Sequence, residues 1–261
     1  MEQNEVITIF HLYRQDGTAL FLHPFDDFDK LIQVLKRAEI VGKYGTEPRV
    51  ESLTLFRNDL YRMIEAAVKS WVAEKRFIPR FMISAGVFLL AYLFLSFVVR
   101  DPLPLVDEIL IGVGAAFVSY LLLSRRDQRS NLALKKRVEL RSSVDRIVFS
   151  EGRFIKQVEE ALREHDAESR EQILEELLTL DPKQRFEIED GNEAKQLIAY
   201  LDKRFNTRDY RKHEKMLTRA KDKNTDGKRI ELLSRWTESK KLDLSLFAVY
   251  RRMKRSYRSV K

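Results

Sequence analysis

Phe81 to Val99 is a run of 19 residues without a charged side chain, and it constrains this chain more than any other segment. As a helix rising about 1.5 Å per residue, it covers roughly the hydrocarbon thickness of a bilayer. Arg80 and Arg100 bracket the run, and Pro79 stands just before it, where a proline at a helix start costs no hydrogen bond. The alternative is a core helix of a soluble fold, but a helix this long normally keeps a polar face. A second run, Ile109 to Ser124, has 16 residues. It reaches a full span if the helix starts near Pro102 or Pro104, with Asp101 as N-cap. Asp107 and Glu108 then lie in its early turns, where carboxylates complement the helix dipole. Two spans, about 80–99 and 104–124, follow.

Their orientation follows from the placement of positive charge. Residues 66–80 contain Lys69, Lys75, Arg76 and Arg80, and residues 125–137 contain Arg125, Arg126, Arg129, Lys135, Lys136 and Arg137. The connector has only Arg100. Lysine and arginine collect on the cytosolic side. The expected location is therefore a membrane of the bacterial inner (plasma) type, with both termini cytosolic. The short connector makes the spans antiparallel neighbours. Gly112 and Ala116, four residues apart, offer a face where another helix can pack closely.

The flanks read as mainly α, with a small α+β module at the N-terminus. EVITIFHLYR is rich in β-branched and aromatic residues, Asp16-Gly17 supplies a turn, and ALFLHPF returns as a second strand. Asp26 or Asp27 caps a helix carrying Phe28, Leu31, Ile32, Leu35 and Ala38, which Gly42 and Gly45 end. A longer helix from about Pro48 to Phe77 places Leu53, Phe56, Leu60, Ile64, Ala67 and Trp71 at three- and four-residue spacing. Beyond the second run, Leu140, Val144, Ile147, Phe154, Val158 and Leu162 form a broken stripe. Gly152 marks a break or turn there, and VDRIVF is alternatively a short strand. The two stripes flanking the runs suggest a helical stalk. Residues 169–180 and 192–205 are further amphipathic helices. The segments expected are 1–78, a cytosolic α+β module; 79–124, the hairpin; 125–203, a cytosolic helical module; and 204–261, a basic helical segment.

Averaged over the chain, 44% hydrophobic and 34% charged residues look ordinary, because the apolar runs and the charge-dense flanks offset each other. The net charge of +8 resides in the last segment, where 19 Lys/Arg face 7 Asp/Glu. In FAVYRRMKRSYRSVK, Phe247, Tyr250 and Tyr257 interleave with Arg251, Arg252, Lys254, Arg255 and Arg258. TRDYRKHEKMLTRAKDK upstream is similarly basic. Such a stretch suits anionic inner-leaflet lipids, nucleic acid phosphates, or no partner beyond solvent.

Sites of chemistry are sparse. The chain has no cysteine, and its histidines, His11, His23, His165 and His213, are scattered without metal-ligand spacing. Asp222 to Gly227 matches the first half of a calcium loop, but its twelfth position is Leu233 and Lys221, Lys223, Lys228 and Arg229 surround it. Gly112-x-Gly114 lies inside an apolar run and lacks a third glycine, so it is no dinucleotide fingerprint. The acidic pairs Asp26-Asp27, Glu159-Glu160 and Glu175-Glu176 read as solvated faces. Asp107 and Glu108 could ring a pore mouth in a homo-oligomer, or simply cap a helix among the headgroups. A two-span hairpin with an acidic connector superficially resembles the pore of the mitochondrial calcium uniporter family. That family spaces its Asp and Glu three residues apart after a Trp. Here they are adjacent with no Trp before them, so nothing of its function is carried over.

These features argue against an enzyme and imply no cofactor or metal. The reading they favour is an integral membrane scaffold or regulatory subunit that presents cytosolic modules to a protein partner. One alternative is an oligomeric channel or transporter subunit with an acidic outer mouth. Another is a membrane-tethered RNA or ribosome binder acting through the basic segment.

Overall fold

The computed structural model describes residues 6–25, 28–99, 105–179, 186–221 and 227–260. The fold is mainly helical with one small sheet, and two of its helices are long and apolar enough to cross a membrane. The chain divides into two compact units. Residues 1–26, 37–56 and 147–261 make a sheet unit; residues 27–36 and 57–146 make a helix-pair unit. Segments from both sides of the apolar runs therefore build one unit, whereas the sequence suggests contiguous modules.

In the sheet unit, β1 (Val6–Tyr13) and β2 (Ala19–Leu22) form the antiparallel hairpin expected from the sequence, with Phe10 opposite Leu22 and Tyr13 opposite Ala19. Gly17 takes a φ of 80° in the turn, and Asp16 Oδ1 accepts from the Thr18 N–H at 2.8 Å. The helix expected after it, α1 (Phe28–Arg37), does not run on to Gly42. Glu39–Tyr44 is instead strand β3, parallel to β1, with Val6 opposite Glu39 and His11 opposite Tyr44. Val148–Glu151 forms β4, parallel to β3, so the strand alternative for VDRIVF holds only for its last two residues, while Val144 and Asp145 still belong to the preceding helix. The order is β2-β1-β3-β4.

Gly42 is thus a mid-strand residue, not a helix terminator. A Cβ there would sit 2.3 Å from Phe149 Cδ1 on β4, so the missing side chain is what admits the ring. β2 pairs only with the second half of β1, leaving Val6–Ile9 one open edge. The Gln196 side-chain amide covers part of it: Oε1 accepts from the Thr8 N–H and Nε2 donates to the Val6 carbonyl, each at 2.8 Å. The two backbone groups so occupied are not free to pair with another chain.

Six helices complete this unit: α6 (Arg153–Ala167), α7 (Arg170–Thr179), α8 (Gly191–Phe205), α9 (Arg208–Lys221), α10 (Gly227–Ser239) and α11 (Leu244–Val260). Asp190 caps α8 by accepting from the Asn192 N–H at 2.8 Å. α6 and α8 cover β1, and α11 packs on α6, α7 and α8. Their shared core joins Phe10 and Leu12 of β1 to Ile155, Leu162, Leu174, Leu197 and Met253.

The helix-pair unit holds most of α2 (Val50–Lys75), with α3 (Phe77–Phe94), a π-helical turn at Leu95–Val99, α4 (Leu105–Gln128) and α5 (Asn131–Asp145). α2 and α5 pack together as the sequence stripes suggest. Leu60, Ile64 and Val68 are buried, as are Ala133, Leu140 and Val144. Glu65 accepts from Arg137 Nε at 2.8 Å and from Arg141 Nη2 at 2.9 Å, and the Tyr61 hydroxyl donates to Asp145. Ser130 caps α5, accepting from the Ala133 N–H at 3.3 Å.

Candidate functional site

The apolar helices carry the least conventional surface of the molecule. Of their most apolar stretches only 11% in α3 and 6% in α4 is buried, so neither is packed into a core of this chain. They meet each other along one face. A Cβ on Gly112 would lie 3.0 Å from the Phe88 ring, so this position does provide close helix packing, and its neighbour is α3 of the same pair. Ala116, one turn on, is half-buried.

Both ends of the pair are closed by polar bonds. At one end Arg80 on α3 is 2% exposed. Its Nε donates to Asp127 Oδ2 at 2.6 Å, Nη1 to Ser124 Oγ at 3.3 Å and Nη2 to the Val72 carbonyl at 3.4 Å. At the other end the Ser96 hydroxyl donates to Glu108 Oε2 at 2.8 Å, while Asp107 in the same first turn of α4 is exposed. The two carboxylates expected to act together therefore differ: one is tied to the neighbouring helix and the other faces outward. Asp101 lies outside the described residues.

In the sheet unit, the basic C-terminal pattern is not a free tail. Phe247 and Tyr250 are buried, with Leu246, Val249 and Met253, so α11 is a core helix. Phe247 and Tyr250 fill the interior, and Tyr257 is half-buried against the same core. Arg251, Arg252, Lys254 and Arg255 are half-buried. Lys254 Nζ donates to Asp202 Oδ1 at 2.8 Å, and Arg252 lies 5.2 Å over the Phe186 ring. The Arg258 side chain and the loop 222–226 lie outside the described residues.

Glu159 also departs from expectation, being 2% exposed where a solvated face is read from the sequence. Its carboxylate accepts from the Thr46 N–H at 3.1 Å, from the Thr46 hydroxyl and from Arg163 at 2.7 Å. A Cβ on Gly45 would approach Glu159 Oε2 to 2.9 Å, which explains a glycine there.

A cavity of about 330 Å³ opens nearby in the sequence, lined by Arg14, His165, Asp166, Glu168, Arg170 and Asp243 among others. Arg14 bonds both Asp166, at 3.2 Å, and Asp243. His165 Nδ1 stands 3.0 Å from Glu168 Oε2 and 3.6 Å from Glu176 Oε2. Among the described residues this is the one trio of histidine and carboxylates close enough to share a cation. Sequence spacing hides it, because Glu176 comes from another helix. The same contacts serve equally as an imidazole held between carboxylates, with Glu168 closing α6 through its N–H to the His165 carbonyl.

Two further histidines are simply buried. His11 lies between Tyr13 and Phe21, and His213 stacks on Trp236 beside Phe247. Desolvation pulls each from 6.5 to about 4. Glu159 partly opposes this at His11, and Arg251 adds to it at His213. Both stay neutral in the folded state at pH 5, while the unfolded chain takes up protons below pH 6.5. The sheet unit should thus lose stability as pH falls from 6.5 towards 4, by on the order of 3 kcal/mol for His213. His213→Phe should flatten this part of the profile in denaturant melts. An unchanged slope would show that His213 ionises freely in the fold.

No family model matches the chain, and no curated protein or solved structure is significantly similar to it.

Proposed function

We propose that α3 and α4 cross a bilayer as a two-span hairpin, and that the chain is a non-enzymatic scaffold or regulatory subunit presenting its sheet unit to a cytosolic protein partner. The observation that carries this reading is the apolar surface the helices leave uncovered. Leu90, Phe94 and Phe97 are 71%, 57% and 72% exposed, and Leu110, Phe117 and Leu122 are 62%, 62% and 60% exposed. Contiguous apolar surface on this scale is not left to water by a soluble monomer, whereas acyl chains solvate it without cost. The Arg80–Asp127 pair, its guanidinium buried and its carboxylate half-buried, stands where the basic flanks begin, which suits the cytosolic headgroup boundary. Two helices enclose no path by themselves, so a channel would require an oligomer lined by exposed Asp107.

The absence of native cysteine makes the test direct. Val106→Cys, at the opposite end of α4 from Asp127, should react with an impermeant maleimide on intact cells. Ser239→Cys should react only after lysis. Reversed labelling would overturn the topology, and extraction of the protein by alkaline carbonate would overturn the membrane reading. A co-purifying partner should be lost when the sheet unit is unfolded by ending the chain at Ser239. In light scattering, a detergent-corrected monomer mass would remove the channel alternative.

A further inference from the structure

A row of exposed cations in the sheet unit lies on α9. Arg208, Arg211, Lys212, Lys215 and Arg219 recur at three- and four-residue spacing, and at about 100° per residue they fall within an arc of roughly 100° over some 16 Å of helix. All five are exposed. The opposite face, with His213 and Leu217 buried, packs against α7 and α10. None of the five has an ion-pair partner among the described residues. Arg211 donates to the Asn206 carbonyl at 3.1 Å and Lys212 lies 5.4 Å over the Trp236 ring, contacts that leave their charges uncompensated. Five like charges in one row repel one another, and the carboxylates of the same helix, Asp209 and Glu214, fall outside the arc.

We infer that α9 is a peripheral docking helix for an anionic lipid surface, seated with its cationic row against the headgroups and its apolar face still in the protein core. This rests on the membrane reading above, which tethers the unit beside a leaflet and so sets a high local concentration of headgroups. The chemistry of the row favours lipid over nucleic acid. It contains no aromatic residue on which a base could stack, and Trp236, the ring beside it, is half-buried under Lys212. A row of point charges without stacking or apolar insertion suits a plane of phosphates and carboxylates.

The experiment uses the full chain in nanodiscs, with Thr218→Cys on α9 carrying a donor dye and the lipid headgroups an acceptor. Energy transfer should be high with 30% phosphatidylserine, low with phosphatidylcholine alone, and low again in 0.5 M salt. The variant Arg208→Gln/Lys215→Gln/Arg219→Gln removes cations that make no side-chain hydrogen bond or ion pair among the described residues. It should lower the docked-to-undocked ratio by about five-fold per cation, roughly 100-fold in all. Transfer indifferent to lipid charge and to the triple variant overturns the inference. Displacement by single-stranded RNA without any response to phosphatidylserine assigns the row to nucleic acid and overturns it as well. If the protein fails to enter nanodiscs, the membrane reading falls. The same variants are then compared by co-sedimentation with phosphatidylserine vesicles, where unbound protein sinks the inference separately.

Discussion

A chain ending at Ser239 is expected to leave the sheet unit unfolded, not merely shortened. α11 supplies Leu244, Leu246, Phe247, Val249, Tyr250 and Met253 to the core, all buried. Burying a large apolar side chain contributes about 1.5–3 kcal/mol, and a domain's net stability is only about 5–15 kcal/mol. Losing six such residues removes more than the unit can spare. The point version is Phe247→Ala. Its ring lies 5.2 Å from Phe205, 5.3 Å from His213 and 5.4 Å from Tyr210, so truncation leaves a cavity among rings that cannot collapse into it. The expected loss is about 3–5 kcal/mol. Arg252→Gln, which removes a cation over Phe186 and leaves the buried face of α11 intact, should cost clearly less than Phe247→Ala. Denaturant melts followed by Trp236 fluorescence measure the substitutions. Hydrogen exchange over residues 6–22 measures the truncation, and protection there comparable to the whole chain would show that α11 is an appendage after all.

The basic pattern of α11 misleads for a physical reason. Its charged residues are conspicuous, yet Leu246, Val249, Tyr250 and Met253 recur at helical spacing and mark an inward face. Arginine and lysine stems can lie along apolar surface with their heads in water, so dense positive charge does not exclude a core helix. α9 shows the converse: five of its six cations share one face and its buried apolar residues lie on the other, a division that the residue spacing alone carries. The apolar helices and the first hairpin are legible in the sequence because their signals are local: uninterrupted hydrophobicity in one case, alternation around Asp16-Gly17 in the other. β3 is not. Its partners come from β1 and from β4 about a hundred residues later, and Gly42 serves a ring on β4 that no local pattern announces. The polar clusters are illegible for the same reason. His165 meets Glu176 and Arg14 meets Asp243 only through tertiary packing. Glu159 reads as half of a solvated pair until Thr46 and Arg163 are seen to enclose it.

Arg80→Ala is expected to weaken the pairing of α3 with α4 by about 3–5 kcal/mol, the range for removing one partner of a buried ion pair. From sequence, Arg80 only brackets an apolar run; its partner Asp127 lies 47 residues away. In the fold its side chain is 3% exposed and that of Asp127 is 21% exposed, so alanine strands a carboxylate that water reaches poorly. Ser124 and the Val72 carbonyl lose a donor in the same step. Lysine should recover only part of the loss, because one ammonium cannot reproduce a planar fork that reaches three acceptors. The double variant Arg80→Leu/Asp127→Leu should be markedly more stable than either single one, since most of the penalty comes from the unpaired charge and little from the pair itself. A double-mutant cycle on the detergent-solubilised full chain, followed by denaturation, separates these terms. An Arg80→Ala variant within about 1 kcal/mol of the parent would mean that water already solvates Asp127, as at an exposed pair. The arginine would then mark the headgroup boundary without locking the two helices together.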